Sequence, residues 1–180
     1  MFDIKFDPGQ LEQIQETLKE APEKLPKAVA FAINRSLEMT RTEQVRQAMA
    51  KYTIKRGDLL ADLKIIKANS NTLYGRIESK GSVIGLDHFK LDPKIRNNKR
   101  VKAGVKNQRM KHIPNAFIAY HDGRLGAFVR TSEASLPIKR LKGPSAPQML
   151  GEMSILDYLQ GFMEEKFNVR IDHELGRILG

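Results

Sequence analysis

The chain encodes an α+β fold: a small antiparallel sheet packed by a long helix in the N-terminal half and by a C-terminal helix, with a protruding basic loop or hairpin. Three observations predict it. Apolar residues recur every three or four positions from Lys27 to about Tyr52, and again from Ile155 to Ile178, which is the period of a helix with one buried stripe. Between those stretches lie short alternating or β-branched runs separated by turn residues, the pattern of antiparallel strands. Finally, nine Lys or Arg and a single acid, Asp92, crowd into the stretch from Lys90 to Lys111, which carries eight of the chain's ten units of net positive charge.

In chain order, Phe2, Ile4 and Phe6 alternate with Asp3, Lys5 and Asp7, the signature of a short strand with one buried face, ended by Pro8-Gly9. Leu11, Ile14 and Leu18 then fall at helical spacing, and Pro22 and Pro26 interrupt before the long helix, a position proline tolerates. Val29, Ile33, Leu37, Val45, Met49 and Tyr52 form its apolar stripe, read as core rather than as a cofactor face. Ala28, Ala30 and Ala32 let a neighbour approach closely. Gly57-Asp58 marks a break and the cap of a short helical turn through Leu59 to Leu63.

Strands follow. Leu63–Lys67 and Thr72–Glu78 flank Asn69-Ser70-Asn71 as a hairpin, and Val83–Leu86 is another short strand; one antiparallel sheet is the economical assembly. The basic arm spans residues 90 to 112: Lys90, Lys94, Arg96, Lys99, Arg100, Lys102, Lys106, Arg109 and Lys111, with Asn97-Asn98 and no aromatic after Phe89. Such a segment is expected not to bury itself, and to be either a mobile loop or a long hairpin with Asn97-Asn98 at its tip. Ala116–Tyr120 and Leu125–Arg130 bracket His121-Asp122-Gly123-Arg124, whose Asp-Gly suits a tight hairpin turn. Leu136–Leu141 contains a proline and reads as an edge strand, Gly143–Pro147 as a rigid connector, and the final helix as broken near Asn168.

With 180 residues the chain fits one domain, residues 1–180, and 41% apolar residues with 29% charged is a globular balance. The absence of cysteine excludes disulfides, Cys-ligated zinc and thiol nucleophiles. The N-terminus lacks the basic and apolar regions of a signal peptide, and the longest apolar run, Ala28 to Ile33, is far too short to cross a bilayer. Cytoplasmic synthesis and no membrane partner are the expectations.

Chemistry-bearing motifs are scarce. There is no phosphate loop, dinucleotide-binding glycine turn or nucleophile elbow. His173-Glu174 begins like a zinc-protease motif, but Arg177 stands where the second histidine belongs. Asp87-His88 with His112 and His121 could converge on a metal or acid-base site, the weakest of the readings kept open. No cofactor and no enzymatic activity are expected.

The stretch Ile113-Pro114-Asn115-Ala116-Phe117-Ile118, then Gly123-Arg124, Phe128-Val129-Arg130, Leu136-Pro137-Ile138 and Pro144-Ser145-Ala146, resembles in order and spacing the prophage minor tail protein Z family of long-tailed phages. Upstream, Ala28-Val29-Ala30-Phe31-Ala32-Ile33-Asn34-Arg35 resembles that family's alanine-rich first long helix, and the basic segment before Ile113 fits as well. The resemblance implies a virion component that completes the head-proximal end of the tail, joins it to the capsid connector and assembles as a ring of identical subunits. It implies other copies of itself, tail tube proteins and head-connector proteins as partners, with no catalytic residues to transfer. Pro114 and Phe117 would shape the hairpin, and Pro114, Phe117, Ile118, Tyr120 and Phe128 are candidate subunit-interface residues.

The residues themselves allow a second reading, a nucleic-acid-binding protein without sequence preference. Lys94, Arg96, Lys99, Arg100, Lys102, Lys106, Arg109 and Lys111 are the candidates for contact with DNA or with an acidic partner. With no aromatic among them, any DNA contact would be to phosphates.

Overall fold

The computed structural model describes residues 8–97, 99–121 and 123–179. The strand expected at Phe2–Asp7 lies outside them. Helices and small antiparallel sheets together make an α+β protein. The chain divides into two compact units that interleave in sequence. The first holds the residues up to Gln44, Leu63–Glu78 and those from Glu152 on; the second holds Val45–Asp62 and Ser79–Gly151.

In the first unit, helix α1 (Pro8–Glu20) begins on a proline, whose missing N–H costs nothing at a helix start. Helix α2 (Leu25–Lys51) gives its first twenty residues to this unit, and α5 (Met153–Leu179) closes it. Ala30, Ala32, Ile33 and Leu37 of α2 bury against Met163, Phe167, Ile171 and Leu175 of α5, while Phe31 on the other side of α2 stays exposed. The alternation of alanine with larger residues is what lets the two helices close on each other. Helix α5 runs unbroken through Asn168, contrary to the sequence reading. Phe167 and Ile171 are both core residues, and their burial outweighs the weak helix preference of one asparagine. At Asn168 the carbonyl also accepts from Gln10 Nε2 at 3.4 Å, and the same amide donates to Asp172 Oδ1 at 3.0 Å, joining α1 to α5.

A two-stranded sheet, β1 (Leu63–Ile66) with β2 (Arg76–Ser79), belongs mainly to this unit. The turn at Asn69-Ser70-Asn71 is present: Asn69 and Thr72 exchange backbone hydrogen bonds, and Asn69 Oδ1 accepts from the N–H groups of Asn71 and Thr72. Pairing resumes only at Arg76, so Thr72–Gly75 is not strand. Asn34 fixes the sheet strand's exit to α2: its Nδ2 donates to the Ala68 carbonyl at 2.9 Å and its Oδ1 accepts from the Ala68 N–H at 2.8 Å. Nearby, Glu38 accepts from Lys67 Nζ at 3.0 Å, and this hydrogen bond, assisted by Arg35, holds the carboxyl below its usual titration range. A depressed carboxyl stabilises the fold above its unfolded pKa and loses that contribution as pH falls through the folded value.

The second unit carries the end of α2, then α3 (Arg56–Ala61). Asp58 does not cap α3. The helix starts two residues earlier, behind Lys55, which makes no side-chain cap, and the Asp58 carboxylate turns to a histidine instead. The expected single sheet is divided. Strand β3 (Val83–Gly85) pairs with the distant β10 (Lys142–Ser145); β4 (Lys90–Asp92), β5 (Lys102–Gly104) and β6 (Lys111–His112) form a second sheet; β7 (Ala116–His121), β8 (Arg124–Arg130) and β9 (Ile138–Arg140) form a third. A 3-10 turn, Leu86–His88, links β3 to β4. The β7–β8 hairpin is as expected, with His121 opposite Arg124 and Gly123 at φ +71°. The Gly143–Pro147 stretch is no mere connector. It supplies β10, on which Gly143 leaves room for the Phe89 ring, and then Ser145, which caps α4 (Ala146–Leu150) in a reciprocal box with Gln148.

Three substitutions test the first unit. Phe167→Ala is expected to cost about 3–5 kcal/mol, against less than about 0.5 for Phe31→Ala, read from denaturant midpoints. Asn34→Ala should cost about 1–3 kcal/mol, because it strands both polar groups of Ala68.

Candidate interaction surfaces

The basic segment contains paired strands. Leu91 pairs with Ala103 and Asp92 with Lys102, so residues 93–101 loop between β4 and β5; Asn97 sits in that loop, and Asn98 is outside the described residues. The segment buries one of its faces, contrary to expectation. Leu91, Val101 and Ala103 point inward at 5%, 1% and 9% exposure, whereas Lys90, Lys102 and His112 share the opposite, exposed face. The signal was present in the alternation Arg100-Val101-Lys102-Ala103, which the density of charge obscured.

The root of this sheet is fastened to the end of α2. The last carbonyls of a helix have no intrahelical partner. Here Asn107 serves three of them: its Nδ2 donates to the carbonyls of Met49 at 3.0 Å and Ala50 at 2.8 Å, and its N–H donates to Lys51 at 2.8 Å. Thr53 adds a second fastening. Its N–H donates to Val105 O at 2.9 Å, its hydroxyl donates to Gly104 O, and the same hydroxyl accepts from the Lys90 N–H at 3.0 Å. Lys106 lies 5.9 Å from the centre of the Tyr52 ring.

Lys94, Arg96, Lys99, Arg100, Lys102, Lys106, Arg109 and Lys111 are all exposed on this anchored segment. Lys90, Lys94 and Lys99, with Ile95 and Met110, line a shallow cleft of about 520 Å³. Of the hairpin residues, Pro114 and Tyr120 are exposed and Phe117 is half-buried, but Ile118 and Phe128 are only 2% and 4% exposed, so their side chains serve the core of this chain. On the β7–β8 surface, Arg130 stacks 4.9 Å from the Phe117 ring centre, and His121 stacks on Phe128.

A family model described as prophage minor tail protein Z (GPZ) matches residues 9–179. The chain belongs to that family. Its members are structural components of phage tails, which makes this chain a phage minor tail protein, a component of the virion. No curated protein and no solved structure matches it. Several motif residues of this minor tail protein have evident local work. Asn34 clasps Ala68, Asn115 adopts φ 57° at the entry to β7, and Ser145 closes the capping box.

The histidines do not assemble into one centre. His88 lies in the 3-10 turn, His112 in β6 and His121 at the end of β7, and among the described residues no group of His, Asp or Glu is arranged to hold a metal ion. His88 joins an ionic chain missed from sequence. Its Nδ1 is 3.1 Å from Asp58 Oδ1, its Nε2 is 3.6 Å from Asp87 Oδ2, and Arg140 Nη2 donates to both oxygens of Asp87 at 2.8 and 2.9 Å. Both ring nitrogens therefore face carboxylates, and the chain ties α3, the 3-10 turn and β9 together. Gly85 makes room for it, since a Cβ there would strike Asp87 and come within 3.0 Å of Arg140. Among the described residues no helix is long and apolar enough to cross a membrane.

Asn107→Ala should cost about 1 kcal/mol globally, while speeding amide hydrogen exchange at Thr53 and at position 107 well beyond that at Leu91 and Ala103. Gly85→Ala and Arg140→Met should each cost about 1.5–3 kcal/mol by breaking the Asp87–Arg140 pair; their double variant should fall well short of the sum.

Proposed function

We propose that this minor tail protein completes the head-proximal end of a long phage tail and helps join tail to head, acting as a ring of identical subunits assembled in the host cytoplasm. The family match along residues 9–179 carries the reading. The surface chemistry supports it. A ring needs a heterologous interface, in which one patch meets a different patch on the next copy, and sheet edges together with an anchored cationic face offer two unlike patches. Lys94, Arg96, Lys99, Arg100, Lys102, Lys106, Arg109 and Lys111 form the cationic patch, facing acidic surfaces on tail tube or connector proteins, or phage DNA. Pro114, Phe117 and Tyr120 lie at the hairpin. We assign the chain a structural role, in keeping with the family.

One observation favours the second reading, a protein that grips nucleic acid without sequence preference: the exposed face of the basic sheet is held at its root, so its cations meet a polyanion at little further ordering cost. Immunogold electron microscopy of particles from the producing strain tests the first reading. Label at the head-tail junction is expected; particles lacking the label, and lacking this chain by mass spectrometry, would overturn it. For the second, replacing Lys99, Arg100, Lys102 and Lys106 by Gln should lower the slope of log affinity for duplex DNA against log salt by up to about 4. An unchanged slope would exclude those residues from DNA contact.

A further inference from the structure

The exposed face of the basic sheet is not uniformly cationic. Lys90 on β4 stands opposite Gly104 on β5. A Cβ at Gly104 would come within 3.1 Å of Met110 Cγ, so the methionine side chain lies over the glycine, on the face that carries Lys90. Beyond β4, Ile95 is 66% exposed between Lys94 and Arg96. Ile95 and Met110 line the cleft of about 520 Å³ with Lys90, Lys94 and Lys99, and Asp92 is the one acid in that lining. None of the three lysine side chains is paired with an acid among the described residues.

The two chemistries in this cleft discriminate between polyanions. Duplex DNA carries one charge per about 1.7 Å of axis and no apolar group on its phosphates. Laid on the cleft, it would neutralise the lysines but cover Ile95 and Met110 with charge, and it would set phosphates against Asp92. An acidic stretch of polypeptide supplies spaced carboxylates and an apolar side chain together. Apolar surface inside a polar, charged rim is the usual anatomy of a protein contact, and a methionine adapts its shape to the side chain it meets.

We infer that this cleft receives an extended acidic segment of another protein, with one apolar side chain seated against Ile95 and Met110 and the flanking carboxylates set against Lys90, Lys94 and Lys99. The lysines draw the segment in, and the apolar seat selects among acidic sequences. This deepens the reading of the cationic patch proposed above, taking protein over DNA at this cleft, and it rests on that reading.

The test uses the full-length chain and two short synthetic peptides of equal charge, one with a leucine between runs of glutamate and one with a serine in its place. By fluorescence anisotropy at about 0.15 M salt, the leucine peptide should bind at least about fivefold more tightly. Ile95→Ser, a change at an exposed position that should leave circular dichroism unchanged, should bring the two peptides to within about twofold of each other, while the serine peptide keeps its wild-type affinity. Lys94→Gln with Lys99→Gln should weaken both peptides at least about fivefold. In the unsubstituted protein, the leucine peptide should shift the methyl resonance of Met110 and the serine peptide should not. Equal affinities for the two peptides, a preference for leucine that survives Ile95→Ser, or no binding of either would overturn the inference. So would a short DNA duplex that binds more tightly than the leucine peptide and displaces it, which would give the cleft to DNA. All of these results leave the place of the chain in the particle to be read separately, from the immunogold label.

Discussion

The end of α2 is the constraint on which the second unit's chemistry depends. A helix of 27 residues arrives with its final carbonyls unpaired, and Asn107 answers them from the turn between β5 and β6 while Thr53, just past the helix, binds both β5 and the start of β4. Without that clasp the basic segment would have three very short strands and a thin apolar face, too little to order so many repelling cations. With it, a stretch whose composition suggests disorder becomes a fixed surface. The apolar face and the polar clasp need each other: Leu91, Val101 and Ala103 exclude water from one side, and the Asn107 and Thr53 hydrogen bonds set the height at which the sheet sits on the helix end.

The first unit follows a different logic, in which one apolar seam does most of the work. Small residues on α2 meet large ones on α5, and polar pairs such as Asn34 with Ala68 and Gln10 with Asp172 fix direction and register around it. Those two side-chain amides have specific partners, which is why a preserved volume alone would not restore the unit after their substitution.

Long-period features were legible in the sequence; dependence on distant partners was not. The stripe from Val29 to Tyr52, the Asp-Gly turn after His121 and the proline-marked edge at Leu136–Leu141 are local patterns, and α2, the β7–β8 hairpin and β9 stand where those patterns put them. The division of the strands into separate sheets depends on β10 returning to β3 from far along the chain, which no window of residues reveals. Asn168 looked like a break because helix preference was weighed without the Phe167 and Ile171 burial that overrides it. Of the candidate surface residues, the lysines and arginines from Lys94 to Lys111 are exposed as their charge suggests. Ile118 and Phe128 are buried because alternation within the hairpin shows that a face exists but not which face the core takes. The Asp58–His88–Asp87–Arg140 chain spans three elements and left no sequence trace beyond its members.

The clasped basic face also bears on the order in which a tail could grow. An unanchored cationic loop could fold back or swing clear as two copies approached, whereas a face fixed to a helix end meets the next copy with its charge in place. Each copy brings eight net charges on that segment, and the resulting mutual repulsion reaches about 10 Å in 0.1 M salt. Between two free copies that repulsion acts wherever no counter-charge neutralises it. On the ring reading proposed above, the residues that hold the finished joint also oppose premature self-association.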